Sequence, residues 1–279
     1  MTEVLRDWRE RQATHRARVQ QLTEGHRQRR AAGERHPVWD FMFTYYPTTP
    51  GKLSHWHPGA YKGVAWDGGD DLPHYKDHYI RRGNVWILDV ERHMAARGKT
   101  VRYIARLLEA TYRHPPVLGC FGLHEWAMVY KDSPRHPEPL RLGASGTDEV
   151  VEASQLKCTH FDAFRFFTDA AAPRNAHTPT RDSQPQLEQP GCLHATMDLY
   201  KWATKLGPLV PGELWLDCFE LACDVRQLDM EASPYDPREW GFEPVRIETA
   251  AGRAEYVVRQ KGLMERGQGL RKQLLAYTG

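Results

Sequence analysis

Apolar residues recur along most of this chain at the three- and four-residue spacing of a helix. In residues 213–230, Leu214, Cys218, Leu221, Val225 and Leu228 fall on one face, which predicts a helix with that face buried. A helix is also predicted over 192–206. Between residues 2 and 32 the chain carries good helix formers, but its sizeable apolar groups are only Val4, Leu5, Trp8, Val19 and Leu22 among many Arg and Gln. That pattern predicts one or two helices ending at Gly33, either a solvated arm or a helix lying on the main body. Asn84 can cap a run to Arg97, Gly98 can stop it, and Thr100 can start another to Arg113 before Pro115 and Pro116, so a helical hairpin is expected. Ser145 and Asp148 open a further helix reaching Phe167, although CTHFDAFRFF within it also suits an extended strand.

Elsewhere the helical period fails. Residues 36–71 are dense in aromatics, Pro and Gly, which predicts shaped loops with short extended pieces; the alternation of Trp39, Phe41, Phe43 and Tyr45 reads as one face of a buried strand. The segment VLGCFGLHEWAMVY is apolar apart from His124 and Glu125 and is expected to be buried as a strand or short helix. Residues 131–145 form a Pro-rich surface loop. Residues 171–191 hold Pro173, Pro179, Pro185 and Pro190 and predict a long loop, a feature often used as a functional lid. VRIETAAGRAEYVVRQ predicts a β-hairpin before a short terminal helix over 263–277. The expected fold is mainly α (α+β): a basic helical arm over 1–35, then a single helical domain over 36–279 with a small C-terminal β-hairpin.

Composition narrows what such a fold can do. The chain has 279 residues, 41% of them apolar, enough for a real core. Its 38 Lys and Arg nearly balance 36 Asp and Glu, so it is not a polycation built to coat nucleic acid. The basic excess is local: residues 1–36 carry nine Arg against five acids. Five cysteines, none in a Cys-x-x-Cys pair, read as reduced thiols. Charges stand where a signal peptide would place its apolar segment, and no stretch has the roughly 20 apolar residues of a membrane span. A cytoplasmic protein without a membrane partner is expected.

Several segments carry side chains suited to chemistry. In EQPGCLHATMDLYKW, His194 and Asp198 are one helical turn apart and share a face, with Glu188 just ahead of the helix. They suit either metal ligation or an acid–base pair in which the carboxylate orients the imidazole. Asp217, Glu220 and Asp224 lie beside the apolar face of the next helix, as oxygen ligands or as surface ion-pair partners. His160 and Asp162 sit among phenylalanines, where polar groups must find partners; they suit a pocket wall or a satisfied core. His124 and Glu125 have the same two readings. Met128 stands where His-Glu-x-x-His needs its second histidine, which excludes that zinc-protease motif. The chain also lacks a Gly-x-Gly-x-x-Gly, a Gly-Lys-Ser/Thr phosphate loop, a Gly-x-Ser-x-Gly elbow and the deaminase Pro-Cys-x-x-Cys.

The blocks HPVWDFMFTYY, CTHFDAFRFF, EQPGCLHATMDLYKWATKL, DCFELACDVRQLDMEASPYD and IETAAGRAEY resemble a family of actinobacterial and plant proteins usually labelled 3-methyladenine DNA glycosylase. That resemblance implies a DNA base-excision enzyme with no cofactor, which flips an alkylated base into an aromatic pocket and cleaves its N-glycosidic bond. For that reaction Asp198 is the first choice of carboxylate to support the sugar cation and Glu188 the second, with His194 and His160 as orienting groups. Trp39, Phe43, Tyr45, Tyr46, Trp56 and Phe164 are the candidate base pocket, though the first of these also read as core. Arg27, Arg29, Arg30 and Arg35 would contact DNA phosphates. The alternative is an enzyme dependent on Fe, Mn or Zn and acting on a small molecule, its ligands drawn from His160, Asp162, Glu188, His194, Asp198, Asp217 and Glu220. A non-catalytic nucleic-acid-binding module led by the arm ranks last.

Overall fold

The structure is a computed structural model that describes residues 2–66, 68, 78–134 and 136–279. In chain order its elements are β1 (Glu3–Leu5), α1 (Trp8–Ala32), α2 (Phe41–Thr44), α3 (Pro50–Leu53), β2 (Lys62–Ala65), β3 (Tyr79–Arg82), β4 (Val85–Leu88) and α4 (Val90–Arg113). There follow α5 (Leu123–Ala127), α6 (Gly143–Glu152), α7 (Phe161–Phe164), α8 (Gln184–Leu187), α9 (Leu193–Leu206), α10 (Gly212–Glu231) and α11 (Ala250–Leu275). The fold is mainly helical with one small sheet, in the α+β class. Among the described residues no helix is long and apolar enough to cross a membrane.

The chain divides into two compact units. One comprises Met1–Arg106, Leu199–Glu220 and Leu270–Gly279; the other comprises Leu107–Asp198 and Leu221–Gly269. The first holds the sheet, in strand order β1-β2-β4-β3. β1 runs parallel to β2 with Glu3 opposite Lys62, and β4 pairs antiparallel with both β2 and β3. Gly63 makes the close register possible, since a Cβ there would stand 2.5 Å from Val85 Cγ1. Leu5, Trp8, Trp56 and Val64 form a core on which Trp86 packs. α1 buries Trp8, Gln12, His15, Val19 and Thr23 at helical spacing, so it packs as a helix on the first unit. Three of those five are polar, which is why the face does not show as an apolar stripe. Arg18 on the same helix pairs with Asp217 at 2.8 Å and Glu220 at 2.7 Å.

The second unit is held by buried polar ties as well as apolar packing. The Trp126 indole donates to Ala232 O at 2.8 Å, and Arg141 grips Glu248 through both carboxylate oxygens at 2.9 Å each. Gln260 donates to Gly191 O at 2.6 Å, fixing the entry to α9.

Four expectations need correction. The C-terminal hairpin does not form; its sequence lies in an extended lead-in and the first turns of α11. Thr249 starts that helix by accepting from Gly252 N at 3.0 Å, and its buried face is Tyr256, Gln260, Leu263, Gly267, Arg271 and Leu274. Gly98 does not stop a helix but lies inside α4. The run expected to begin at Asn84 starts instead as β4, because Gly83, with φ +60°, turns the chain between two β-prone segments. The aromatic stretch with apparent strand alternation is α2, flanked by buried Val38 and Tyr46. The helix opened before Ser145 ends at Glu152 and does not reach Phe167. Of the loop-rich stretch expected over 36–71, Asp67 and residues 69–71 lie outside the described residues.

Candidate metal centre

Within the second unit, α5 and the portions of α9 and α10 that belong to it bring acids and imidazoles together. α5 is a single short turn that begins after Gly122, which adopts φ +71° to reverse the chain. Burial of Leu123, Trp126 and Ala127 anchors that turn and carries the neighbouring His124 and Glu125 inward. α9 contributes His194, and α10 contributes Arg226 and Asp229, three residues apart on one face. One donor atom each from His124, Glu125, His194 and Asp229 lie within 4.8 Å of one another.

The contacts inside this group are specific. His124 Nε2 stands 2.7 Å from Asp229 Oδ1. Arg226 donates through Nη1 to Asp229 Oδ2 at 2.9 Å and to Glu125 Oε1 at 3.3 Å. The electrostatics follow. Burial opposes a charge on His124, but the facing Asp229 carboxylate overcomes it and raises the imidazole well above its usual range. Burial would raise Asp229, yet His124 and then Arg226 hold it below the ordinary carboxylate range. Burial and the neighbouring Asp229 push Glu125 up, with Arg226 pulling the other way. Burial, with His124 beside it, drives His194 well below the usual imidazole range.

A cavity of about 10 Å³ adjoins the group, with Cys120, Cys158, Cys192, His124, His194 and Tyr256 among its lining residues. That is the volume of roughly one water. Cys120 Sγ lies 3.7 Å from His124 Nδ1. All five cysteines are free, and burial raises Cys158 and Cys192 above their ordinary range, which keeps them as neutral thiols.

Beside this group stands a second. His160 precedes α7 and points its Nε2 between Glu188 Oε1, 3.2 Å away, and Asp198 Oδ2, 3.3 Å away. Glu188 Oε1 also accepts from Gln184 Nε2, and the Glu188 main-chain oxygen meets His114 Nδ1 at 2.6 Å. The His160 ring stacks on His194 with centroids 5.3 Å apart, while His194 meets His124 edge-on at 4.4 Å. His194 therefore belongs to both groups.

The structure thus gathers His160, Glu188, His194 and Asp198, the four residues first chosen for acid–base work, in one place. Other candidates are engaged elsewhere. Asp162 pairs with Arg181 at 2.9 Å. Asp217 and Glu220 belong to the first unit, on Arg18. Phe164 packs on Phe167. In the first unit Trp56 and Tyr46 are buried, the Trp56 indole donating to Glu213 at 2.9 Å and Tyr46 meeting Tyr200 edge-on. Phe43 packs on His26 and Phe219, Tyr45 stacks on Phe41, and Trp39 stacks on His36. Of the basic residues, Arg29 holds Asp40 at 2.6 Å and Arg27 donates to Gln20 O, while Arg30 and Arg35 are exposed. Sequence reasoning noticed His124 and Glu125 without a partner for them, and it read Asp229, with Glu231 and Asp236 in LDMEASPYD, as a helix exit stitched by side-chain turns. The signal for Asp229 was an acid between Leu228 and Met230, both buried, three residues after an arginine.

Comparison with protein-family models, curated proteins and solved structures finds no match to this chain.

Proposed function

We propose that the protein is a metal-dependent enzyme whose cation is held by His124, Glu125, His194 and Asp229 and whose substrate is a small molecule. The supporting observation is that four donors from three separate helices converge within 4.8 Å in the interior. Burying two acids and two imidazoles is costly compared with apolar packing of the same volume, so stability alone does not account for them. Mixed nitrogen and oxygen donors suit iron, manganese or zinc. The water-sized cavity beside His124 and His194 supplies one exchangeable position, where a bound water would be acidified. Arg226 fixes the two carboxylates and offsets part of their charge, which leaves a site matched to a divalent ion. Metal analysis of untagged protein, before and after incubation with Mn²⁺, Fe²⁺ and Zn²⁺, tests the reading. Stoichiometric metal that is lost in His194→Ala and Asp229→Asn is expected; a wild-type chain that stays metal-free refutes it.

Base excision is the second reading, favoured by the convergence of His160, Glu188, His194 and Asp198. It requires abasic sites in alkylated duplex DNA at a rate that a chelator leaves unchanged, with DNA held by exposed arginines such as Arg30 and Arg35.

A further inference from the structure

The water-sized cavity has a polar wall opposite no partner. Tyr256 and Gln260 stand four residues apart on one face of α11, and both line the cavity together with His124 and His194. Gln260 is 1% exposed. Its amide nitrogen is committed, because Nε2 donates to Gly191 O at 2.6 Å and a carbonyl can only accept, so the amide cannot be turned round. That leaves Oε1 buried and without a donor among the described residues. An acceptor left in this state costs about 1–3 kcal/mol, so its presence calls for a reason. The other amide in the wall is already satisfied: Gln189 Oε1 accepts from Val117 N at 2.8 Å and from Gly191 N at 2.7 Å.

We infer that Gln260 is the positioning residue for a water molecule that occupies this cavity as a ligand of the cation, its Oε1 accepting one of the water's hydrogens. The inference rests on the reading of the His124 group as a metal site. The volume of about 10 Å³ admits about one solvent molecule, and the vacant partner is an acceptor, so the occupant must donate. Metal-bound water answers that description, because the cation takes a lone pair of its oxygen and makes both hydrogens stronger donors. Two of the cation's four donors, His124 and His194, share the cavity with Gln260. Holding the water by one hydrogen fixes its orientation, as a nucleophile poised for attack requires.

The test is the magnetic relaxation of isotope-labelled water oxygen by the full chain loaded with Mn²⁺ and desalted, which reads how many waters the ion carries and how long each stays. Metal analysis and far-UV circular dichroism accompany it for wild type, Gln260→Leu and Gln260→Glu. Wild type is expected to carry a coordinated water. Gln260→Leu should keep the ion and shorten the residence of that water about tenfold, the worth of one hydrogen bond to a polarised donor. Gln260→Glu gives up the donor to Gly191 but keeps an acceptor, so it should hold the water at least as long as wild type. That contrast separates a grip on the water from the tie to Gly191. Loaded wild type whose ion carries no exchangeable water overturns the inference without any variant and leaves the metal site standing. So does an unchanged residence time in Gln260→Leu, or an equal shortening in both variants. A wild-type chain that takes up no metal overturns the metal site and this inference with it.

Discussion

Arg226 is the residue on which the buried charges depend. It touches Glu125 and Asp229 and is itself buried, so its removal would leave the two acids with only the His124 imidazole to offset their charge. Breaking a buried pair in this way costs about 3–5 kcal/mol. Arg226→Ala should therefore lower the denaturation midpoint sharply, and addition of divalent metal should recover part of the loss; a melting curve that superimposes on wild type would contradict the role. Asp40 gives a different kind of residue effect. Burial would raise its carboxyl, but Arg29, His26 and the His36 N–H together hold it below the ordinary value. A carboxyl depressed in the folded chain contributes stability that is complete above the unfolded value of about 3.9 and is lost as pH falls through the lower folded value. Urea unfolding measured across that acid range should show a decline that Asp40→Asn flattens. The residues of the site were unevenly legible for a related reason. His160, Glu188, His194 and Asp198 could be singled out because each is polar in an apolar neighbourhood, whereas the partnership of His124 with Asp229 spans 105 positions and has no local signature.

Helices show where periodicity reads well and where it does not. α9 and α10 were legible within a residue or two because their buried faces are built from Leu, Ala, Met, Val and Cys. α11 was not, because Gln260, Gly267 and Arg271 stand on its buried face and its β-branched residues suggested a hairpin. Two of the glycines buried inside helices, Gly98 and Gly267, differ in what surrounds them. At Gly98 an added Cβ would meet the mobile end of Arg102, 3.0 Å away, whereas at Gly267 it would press on Thr196 Cγ2 at 2.8 Å. Gly98→Ala should raise the melting temperature, by the equivalent of about 0.5–1 kcal/mol, through helix propensity. Gly267→Ala should lower it, since overpacking costs about 1–3 kcal/mol. Calorimetry of the two variants side by side checks both signs, and a rise for Gly267→Ala would show that the contact with α9 is slack.

For the whole molecule, the predominance of helix was legible, while the four-stranded sheet and the division into two units were not. The sheet strands are only three or four residues long, too short for alternation to declare itself, and β1 finds its partner in β2 almost sixty residues later. A bound ion would act at this scale too. A ligand that binds only the folded chain adds about 2.7 kcal/mol of stability at a hundred times its dissociation constant. Chelator should thus lower the melting temperature of metal-loaded protein, and graded Mn²⁺ or Zn²⁺ should restore it along a binding isotherm; equal melting points with and without chelator would count against a resident ion.

The chamber beside His124 and His194 admits guests by size. Its walls leave room for about one solvent molecule, so a purine or a sugar would fit only after a lining side chain such as Cys120, Cys192 or Tyr256 moved aside. Any reaction of a larger molecule at that position would thus require those walls to move first, and smaller side chains at Cys120, Cys192 or Tyr256 should widen the range of molecules the void accepts.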